Sequence, residues 1–170
     1  IKQGAELHVV ADSVLCMGKG GDPEEKMKKK FHWYVKNAFR EVHSHISPAK
    51  TLKEITAKIQ ELVDKYAGGD PKQFKHDLLI VHGCTDAVPN NETAETKPEA
   101  EAHAQTFADL IGEMERAVYL GPGDEQCWGI PFFDVESSKI MRIIQTAGKP
   151  MINPVNLWHQ FEHRDPWHFA

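Results

Sequence analysis

The chain has no long hydrophobic segment and few cysteines. No apolar run approaches the roughly 20 residues that a membrane-spanning helix needs, and no secretory signal pattern opens the sequence. The three cysteines, Cys16, Cys84 and Cys127, are widely spaced and form no CxxC pair. This spacing argues against a disulfide framework. We therefore predict no membrane span, and a reducing compartment such as the cytoplasm.

An excess of positive charge is also absent. The chain has 20 basic and 25 acidic residues, for a net charge of −5 with histidine neutral. Four lysines lie between Lys26 and Lys30, but Glu24 and Glu25 precede them and Met27 interrupts them. This pattern is typical of a solvated helix face. We expect no nucleic-acid partner.

The length and composition are those of one globular domain. At 170 residues the chain is long enough to bury roughly 70% of its unfolded surface. We find no internal repeat or interdomain linker, so we predict a single domain over residues 1–170. The first residue is Ile1 rather than Met, which is consistent with a fragment of a longer polypeptide.

Strand-like and helix-like patterns alternate along the chain. Apolar runs predict strands within 6–11, 76–82, 117–120 and 151–155, with at most a very short strand between 41 and 48. Apolar residues at three- and four-residue steps predict helices over 23–43, 52–66, 98–116 and 134–147. Thr51 and Glu54 form a potential capping box for the second helix, which Gly68 would end. The alternation predicts a three-layer α/β/α sandwich whose mostly parallel, flavodoxin-like sheet has four or five strands.

Three polar clusters follow predicted strands. They are Asp12-Ser13, Gly83-Cys84-Thr85-Asp86 and Asp165-Pro166-Trp167-His168. Right-handed crossovers bring the carboxyl ends of parallel strands to one edge of the sheet, where such folds bind ligands. A serine nucleophile needs a histidine base, and that base needs an acceptor on its other nitrogen. Each cluster alone is a weak signal, since Asp12 or Ser13 equally fits a helix cap.

Taken in order, the three clusters resemble the motifs of GDSL-type esterases, the SGNH hydrolase superfamily. That family has Gly-Asp-Ser at the end of its first strand, Gly-x-Asn-Asp after a later strand and Asp-x-x-His near the C-terminus. The corresponding residues here are Ala11-Asp12-Ser13, Gly83-Cys84-Thr85-Asp86 and Asp165-Pro166-Trp167-His168. The resemblance covers nearly the whole chain.

The resemblance implies a serine esterase that acts on a small ester or acetyl group without a cofactor or metal. Ser13 would be the nucleophile, His168 the general base and later acid, and Asp165 the residue that orients His168. The backbone N–H of Ser13 and the side chain of Thr85 would contribute to the oxyanion hole. The residues beside this site would be Asp12, Gly83, Cys84, Asp86 and Trp167.

Two departures from the family pattern affect the oxyanion hole. Thr85 stands where the family has asparagine, so a short hydroxyl replaces a longer amide. No glycine occurs between Gly21 and Gly68, so a second backbone donor would come from a residue near Ser44 to Ala49. These departures favour an alternative, a catalytically weak or inactive domain that serves as an interaction or structural module in a larger protein or assembly.

Metal binding is a further alternative, because the chain has ten histidines. His159 and His163 are four residues apart, with Asp165 and His168 nearby, but no H-E-x-x-H pattern is present. We interpret these residues as surface or rim histidines, and we expect His43 and His45 to lie in a solvated turn. Cys84 is either a thiol nucleophile or, as we favour, a small buried apolar residue.

Overall fold

A five-stranded parallel sheet forms the centre of the protein. The structure, a computed structural model, describes residues 5–11, 38–46, 51–81, 97–120, 143, 151–152, 163–165 and 168–169. The strands are β1 (Ala5–Ala11), β2 (Phe39–Ile46), β3 (Asp77–Val81), β4 (Ala117–Leu120) and β5 (Met151–Ile152). They pair in the order β2-β1-β3-β4-β5, and every pairing is parallel. This is the flavodoxin-like order, and it confirms the predicted fold class.

β1 lies inside the sheet, between β2 and β3. Successive side chains of a strand point to opposite faces of the sheet. Leu7, Val9 and Ala11 on one face are buried, and so are His8 and Val10 on the other. Both faces of the sheet are therefore covered at β1, as a layer of helices on each side requires.

The helix α1 (Leu52–Ala67) has the predicted signals at both ends. The N–H of Glu54 donates to Thr51 Oγ1 at 3.2 Å, and the N–H of Thr51 donates to Glu54 Oε2 at 2.7 Å. Gly68 ends the helix in the left-handed region at φ 61°, and a Cβ placed there would meet nothing within 4 Å. A side chain at Gly68 would thus be disfavoured by the left-handed backbone conformation and not by a steric clash.

The helix α2 (Lys97–Gly112) packs against α1 and supplies much of the remaining core. Its inward residues are all buried, as predicted: Ala104, Phe107, Ala108 and Ile111. Phe107 meets Tyr119 of β4 edge to face at a centroid distance of 5.6 Å. The helix ends four residues earlier than its apolar pattern predicts, but Met114 beyond it is still buried.

The predicted helix over 23–43 is wrong at its C-terminal end, where the structure has β2. Val42 satisfies the helical spacing that begins upstream, but Val42, Ser44 and Ile46 also alternate as a strand and are buried. Pairing with β1 decides between the two patterns, because β2 satisfies the backbone hydrogen bonds along one side of β1. β2 has eight residues rather than being very short, and residues 23–37 lie outside the described part.

The C-terminal region contains a small ribbon that the sequence patterns do not predict. β6 (His163–Asp165) and β7 (His168–Phe169) pair antiparallel as a separate two-stranded sheet. The predicted helix over 134–147 lies outside the described residues except for Ile143, which is helical. Within the described ranges, the helices are too short or too polar to cross a membrane.

Candidate active site

The strands of the main sheet end in register at the edge where the candidate site is predicted. Ala11 pairs with Ile46 on one side and with Val81 on the other. Val81 pairs with Leu120, and Leu120 pairs with Ile152. Each of these five residues is the last of its strand. We call this row of strand ends the carboxyl edge; neighbouring members are about 4.8 Å apart.

Two of the predicted clusters leave the sheet from adjacent points of the carboxyl edge. Asp12 and Ser13 follow Ala11 directly, and the Gly83–Asp86 cluster begins two residues after Val81. Because Ala11 and Val81 are register partners, the two segments start about one strand spacing apart. Several residues predicted for the site lie outside the described part of the chain. They are Asp12, Ser13, Gly83, Cys84, Thr85, Asp86 and Trp167.

The structure brings the backbones of Asp165 and His168 together. Asp165 is the last residue of β6, His168 is the first of β7, and the two are register partners in the antiparallel ribbon. Such partners have Cα atoms about 4.5–5.5 Å apart. His163, which helical spacing would associate with His159, begins β6 and is not helical; His159 lies outside the described residues.

The region predicted to supply a second oxyanion donor begins inside β2. Ser44 is a strand residue with a buried side chain. The β2 strand ends at Ile46, which is beside Ala11 at the carboxyl edge. Residues 47–49, which follow Ile46, lie outside the described residues.

A second polar cluster lies toward the opposite edge of the sheet, and the sequence patterns do not predict it. His8 is fully buried on β1. Its Nδ1 lies 3.3 Å from His45 Nε2, and its Nε2 lies 2.9 Å from His76 Nδ1. The rings of His45 and His76 each lie within 7° of parallel to that of His8, with centroids 5.6 and 5.1 Å from it. We call these three edge-to-edge imidazoles the histidine row.

Burial keeps the central histidine of this row neutral. Burial first, and then electrostatic interaction with His43, His45 and His76, lowers the pKa of His8 to about 3, although Glu6 opposes the shift. A neutral imidazole has one N–H, so His8 donates through one ring nitrogen and accepts through the other. Tyr66 and Phe74 cover the ring at centroid distances of 5.0 and 5.8 Å.

The predicted solvated turn at His43 and His45 is therefore wrong. Both residues lie on β2, and the His43 ring stacks on His8 at 4.5 Å. The two-residue spacing of His43 and His45 is itself a strand signal. Their contact with His8 depends on the pairing of β1 with β2, which spacing within a single segment cannot show.

Solved structures of esterases and acylhydrolases share this fold. A lipase/acylhydrolase from Enterococcus faecalis matches with a TM-score of 0.65 at 13% identity, over 98% of this chain and 87% of its own. An α/β hydrolase from the metagenome of Lake Arreo, Spain, matches with a TM-score of 0.66 at 14% identity, over 100% and 89%. A catalytic mutant of Axe2, an acetylxylan esterase from Geobacillus stearothermophilus, matches with a TM-score of 0.64 at 16% identity, over 94% and 80%.

The chain thus shares its fold with these esterases and acylhydrolases, in agreement with the fold that the motif resemblance implies. At these sequence identities the likeness establishes the fold, whereas any chemistry depends on the residues of this chain. No protein-family profile matches the sequence, and a comparison with the sequences of curated proteins finds no match.

Proposed function

We propose that the protein is a serine esterase of the SGNH type that hydrolyses a small ester or acetyl group through an acyl-enzyme. The observation that carries this proposal is the pairing of Ala11 with Val81 at the carboxyl edge. Because of this pairing, the segment that contains Ser13 and the segment that contains Thr85 begin next to each other. A nucleophile and an oxyanion donor must be close in this way. The fold shared with esterases supports the same class of reaction.

The proposed reaction has two steps. Ser13 Oγ attacks the carbonyl carbon of the ester while His168 accepts its proton, and His168 then returns that proton to the departing alcohol. A water molecule next attacks the acyl-enzyme, with His168 again as base, and releases the acid and free Ser13. Asp165 would hold the His168 ring in the required tautomer, and the register pairing of these two residues supports this role.

The proposed reaction requires no cofactor or metal, because a hydroxyl activated by an imidazole supplies the nucleophile. The acetylxylan esterase among the similar structures makes acetyl groups a reasonable first class of substrate to test. We propose a small acyl group on this basis.

Labelling by a fluorophosphonate probe tests the nucleophile directly. We expect the wild-type protein to react at Ser13 and to hydrolyse p-nitrophenyl acetate, and Ser13→Ala to lose both activities. Ser137→Ala is the matched control, because Ser137 belongs to none of the three motifs. Absence of labelling in folded wild-type protein at neutral pH would contradict the proposal.

A second candidate function is a non-catalytic interaction domain on the same fold. Threonine at position 85 and the absence of glycine between Gly21 and Gly68 favour it, because both changes affect oxyanion donors. This alternative predicts no Ser13-dependent hydrolysis and a stable complex with a protein partner. Strong hydrolysis by the isolated chain that depends on Ser13 would exclude it.

A further inference from the structure

A group of carboxylates and imidazoles lies where β1 and β2 run side by side, away from the carboxyl edge. Glu6, Glu41 and His43 place their ligand atoms within 4.8 Å of one another. Glu6 precedes Ala11 by five residues, which corresponds to about 16 Å along the strand. Glu6 pairs with Glu41, and His8 pairs with His43, in the parallel register. The group is therefore built on two paired strands and is remote from the proposed esterase site.

One ring nitrogen in this group lacks a hydrogen-bond partner among the described residues. His43 Nε2 is buried, although the His43 side chain as a whole is 24% exposed. It lies 3.8 Å from Glu6 Oε1 and 3.8 Å from Glu41 Oε2. These distances are too long for hydrogen bonds. A buried ring nitrogen that makes no hydrogen bond and lies at ion-pair distance from two carboxylate oxygens requires an explanation, and a cation bound between them is one.

We propose that Glu6, Glu41 and His43 bind a divalent transition-metal ion, for which Zn²⁺ is the test ion. Zn–N and Zn–O bonds are about 2.0–2.2 Å, so tetrahedral ligand atoms lie roughly 3.3–3.5 Å apart. The two 3.8 Å separations around His43 Nε2 exceed this range by less than half an ångström. One imidazole and two carboxylates are a suitable donor set for zinc, with water as the fourth ligand.

The neighbouring residues would hold the proposed ligand Glu6 in place. His76 Nε2 donates to Glu6 Oε2 at 2.9 Å, and the histidine row connects His76 to the buried His8. Hydrogen bonds from such outer residues fix the orientation of metal-binding carboxylates. Burial acts to raise the pKa of Glu6, but the hydrogen bond from Arg40 and electrostatic interaction with His76, Arg40 and His43 outweigh it. The pKa of Glu6 therefore lies below its usual value, and the carboxylate is ionised at neutral pH.

Arg40 provides a specific test of the proposed metal site. Its Nη2 donates to Glu6 Oε1 at 2.9 Å, and its side chain is 66% exposed. The guanidinium therefore competes with a metal ion for the same oxygen. Because the arginine is exposed, its removal should leave the fold intact and should tighten metal binding.

Zn²⁺ titration of the full chain by calorimetry, after treatment with EDTA, tests the site. We expect one equivalent to bind, Glu41→Gln and His43→Ala to weaken binding at least tenfold, and Arg40→Gln to tighten it several-fold. Zn²⁺ should also raise the melting temperature of the wild-type protein and not that of the two weakened variants. Glu41→Gln keeps the test independent of folding, because the Glu41 side chain is 55% exposed.

Matched substitutions elsewhere serve as controls. His103→Ala and Glu61→Gln, on α2 and α1, should bind Zn²⁺ as the wild-type protein does. The proposal is overturned if no saturable binding occurs, or if Glu41→Gln and His43→Ala bind normally. Loss of binding only in a His159→Ala, His163→Ala double variant would assign the ion to the C-terminal histidines and would equally overturn it. None of these results depends on whether the protein is an esterase.

Discussion

Thr85 occupies the position where the resembled esterases have an asparagine that donates to the oxyanion. The threonine hydroxyl is shorter than the asparagine amide, so in the proposed reaction it would reach less far toward the developing charge. Loss of one oxyanion donor typically costs roughly 10²–10³ in rate. The rate of the proposed esterase should therefore depend strongly on this side chain.

We predict that Thr85→Asn raises kcat for p-nitrophenyl acetate, by up to about 10²-fold, because the amide restores a donor at the oxyanion. Steady-state kinetics checks this result. Thr85→Ser, which keeps the hydroxyl, is the control and should change kcat little. If Thr85→Asn lowers kcat while the protein stays folded, Thr85 itself is the effective donor and the prediction is wrong.

His8 illustrates why single residues of the second cluster are hard to predict. In the sequence it interrupts an apolar run between Leu7 and Val9, with nothing nearby to satisfy its ring. Its two hydrogen-bond partners lie 37 and 68 residues away. The partners become evident only once the strand order is known, because they lie on or directly next to β2 and β3, the two strands that flank β1. The three motifs of the proposed esterase site can be recognised because each is contiguous in sequence.

Among the elements, α1 is predicted most accurately because its signals are local. The capping box at Thr51 and the glycine at position 68 fix its ends, and its apolar spacing fixes its buried face. β2 is mispredicted because Val42 fits both a helical and a strand period, and pairing with β1 decides between them. The β6–β7 ribbon has too few residues for any period to show. Local chemistry thus predicts an element well only when long-range pairing agrees with it.

We predict that Thr51→Ala lowers the free energy of unfolding by about 0.5–2 kcal/mol, because it removes the oxygen that accepts the N–H of Glu54. Urea denaturation followed by circular dichroism measures the change. Thr106→Ala is the matched control, since Thr106 lies exposed in the middle of α2, where alanine is the better helix former. The two substitutions should have opposite signs or differ by at least about 0.5 kcal/mol; equal effects would contradict the capping role.

On the scale of the whole molecule, the sheet order makes segments that are distant in sequence depend on one another. β1 pairs with β2 and β3, and β3 pairs in turn with β4. The sequence predicts this class of architecture because the alternation of strands and helices restricts the chain to parallel crossovers. The alignment of the strand ends cannot be predicted in the same way, because register depends on which side chains meet across the sheet.

We expect residues 1–170 to unfold in one cooperative transition, because loss of β1 leaves β2 without its partner in the sheet. All four tryptophans lie outside the described residues: Trp33, Trp128, Trp158 and Trp167. Their fluorescence therefore reports on different segments from α1 and α2, whose unfolding is followed by circular dichroism. The two probes should give the same urea midpoint. Two separated transitions would contradict a single domain.

The interior position of β1 also has a consequence for synthesis on the ribosome. β1 is made before its neighbours, yet its partner β3 ends only at Val81, about 70 residues later. At typical rates of about 5–20 residues per second, the apolar residues of β1 wait roughly 4–14 s for this partner. During that interval Val9 and Val10 remain available for wrong pairings between nascent chains. The strand that pairs with two neighbours in the folded sheet is thus an aggregation risk during translation.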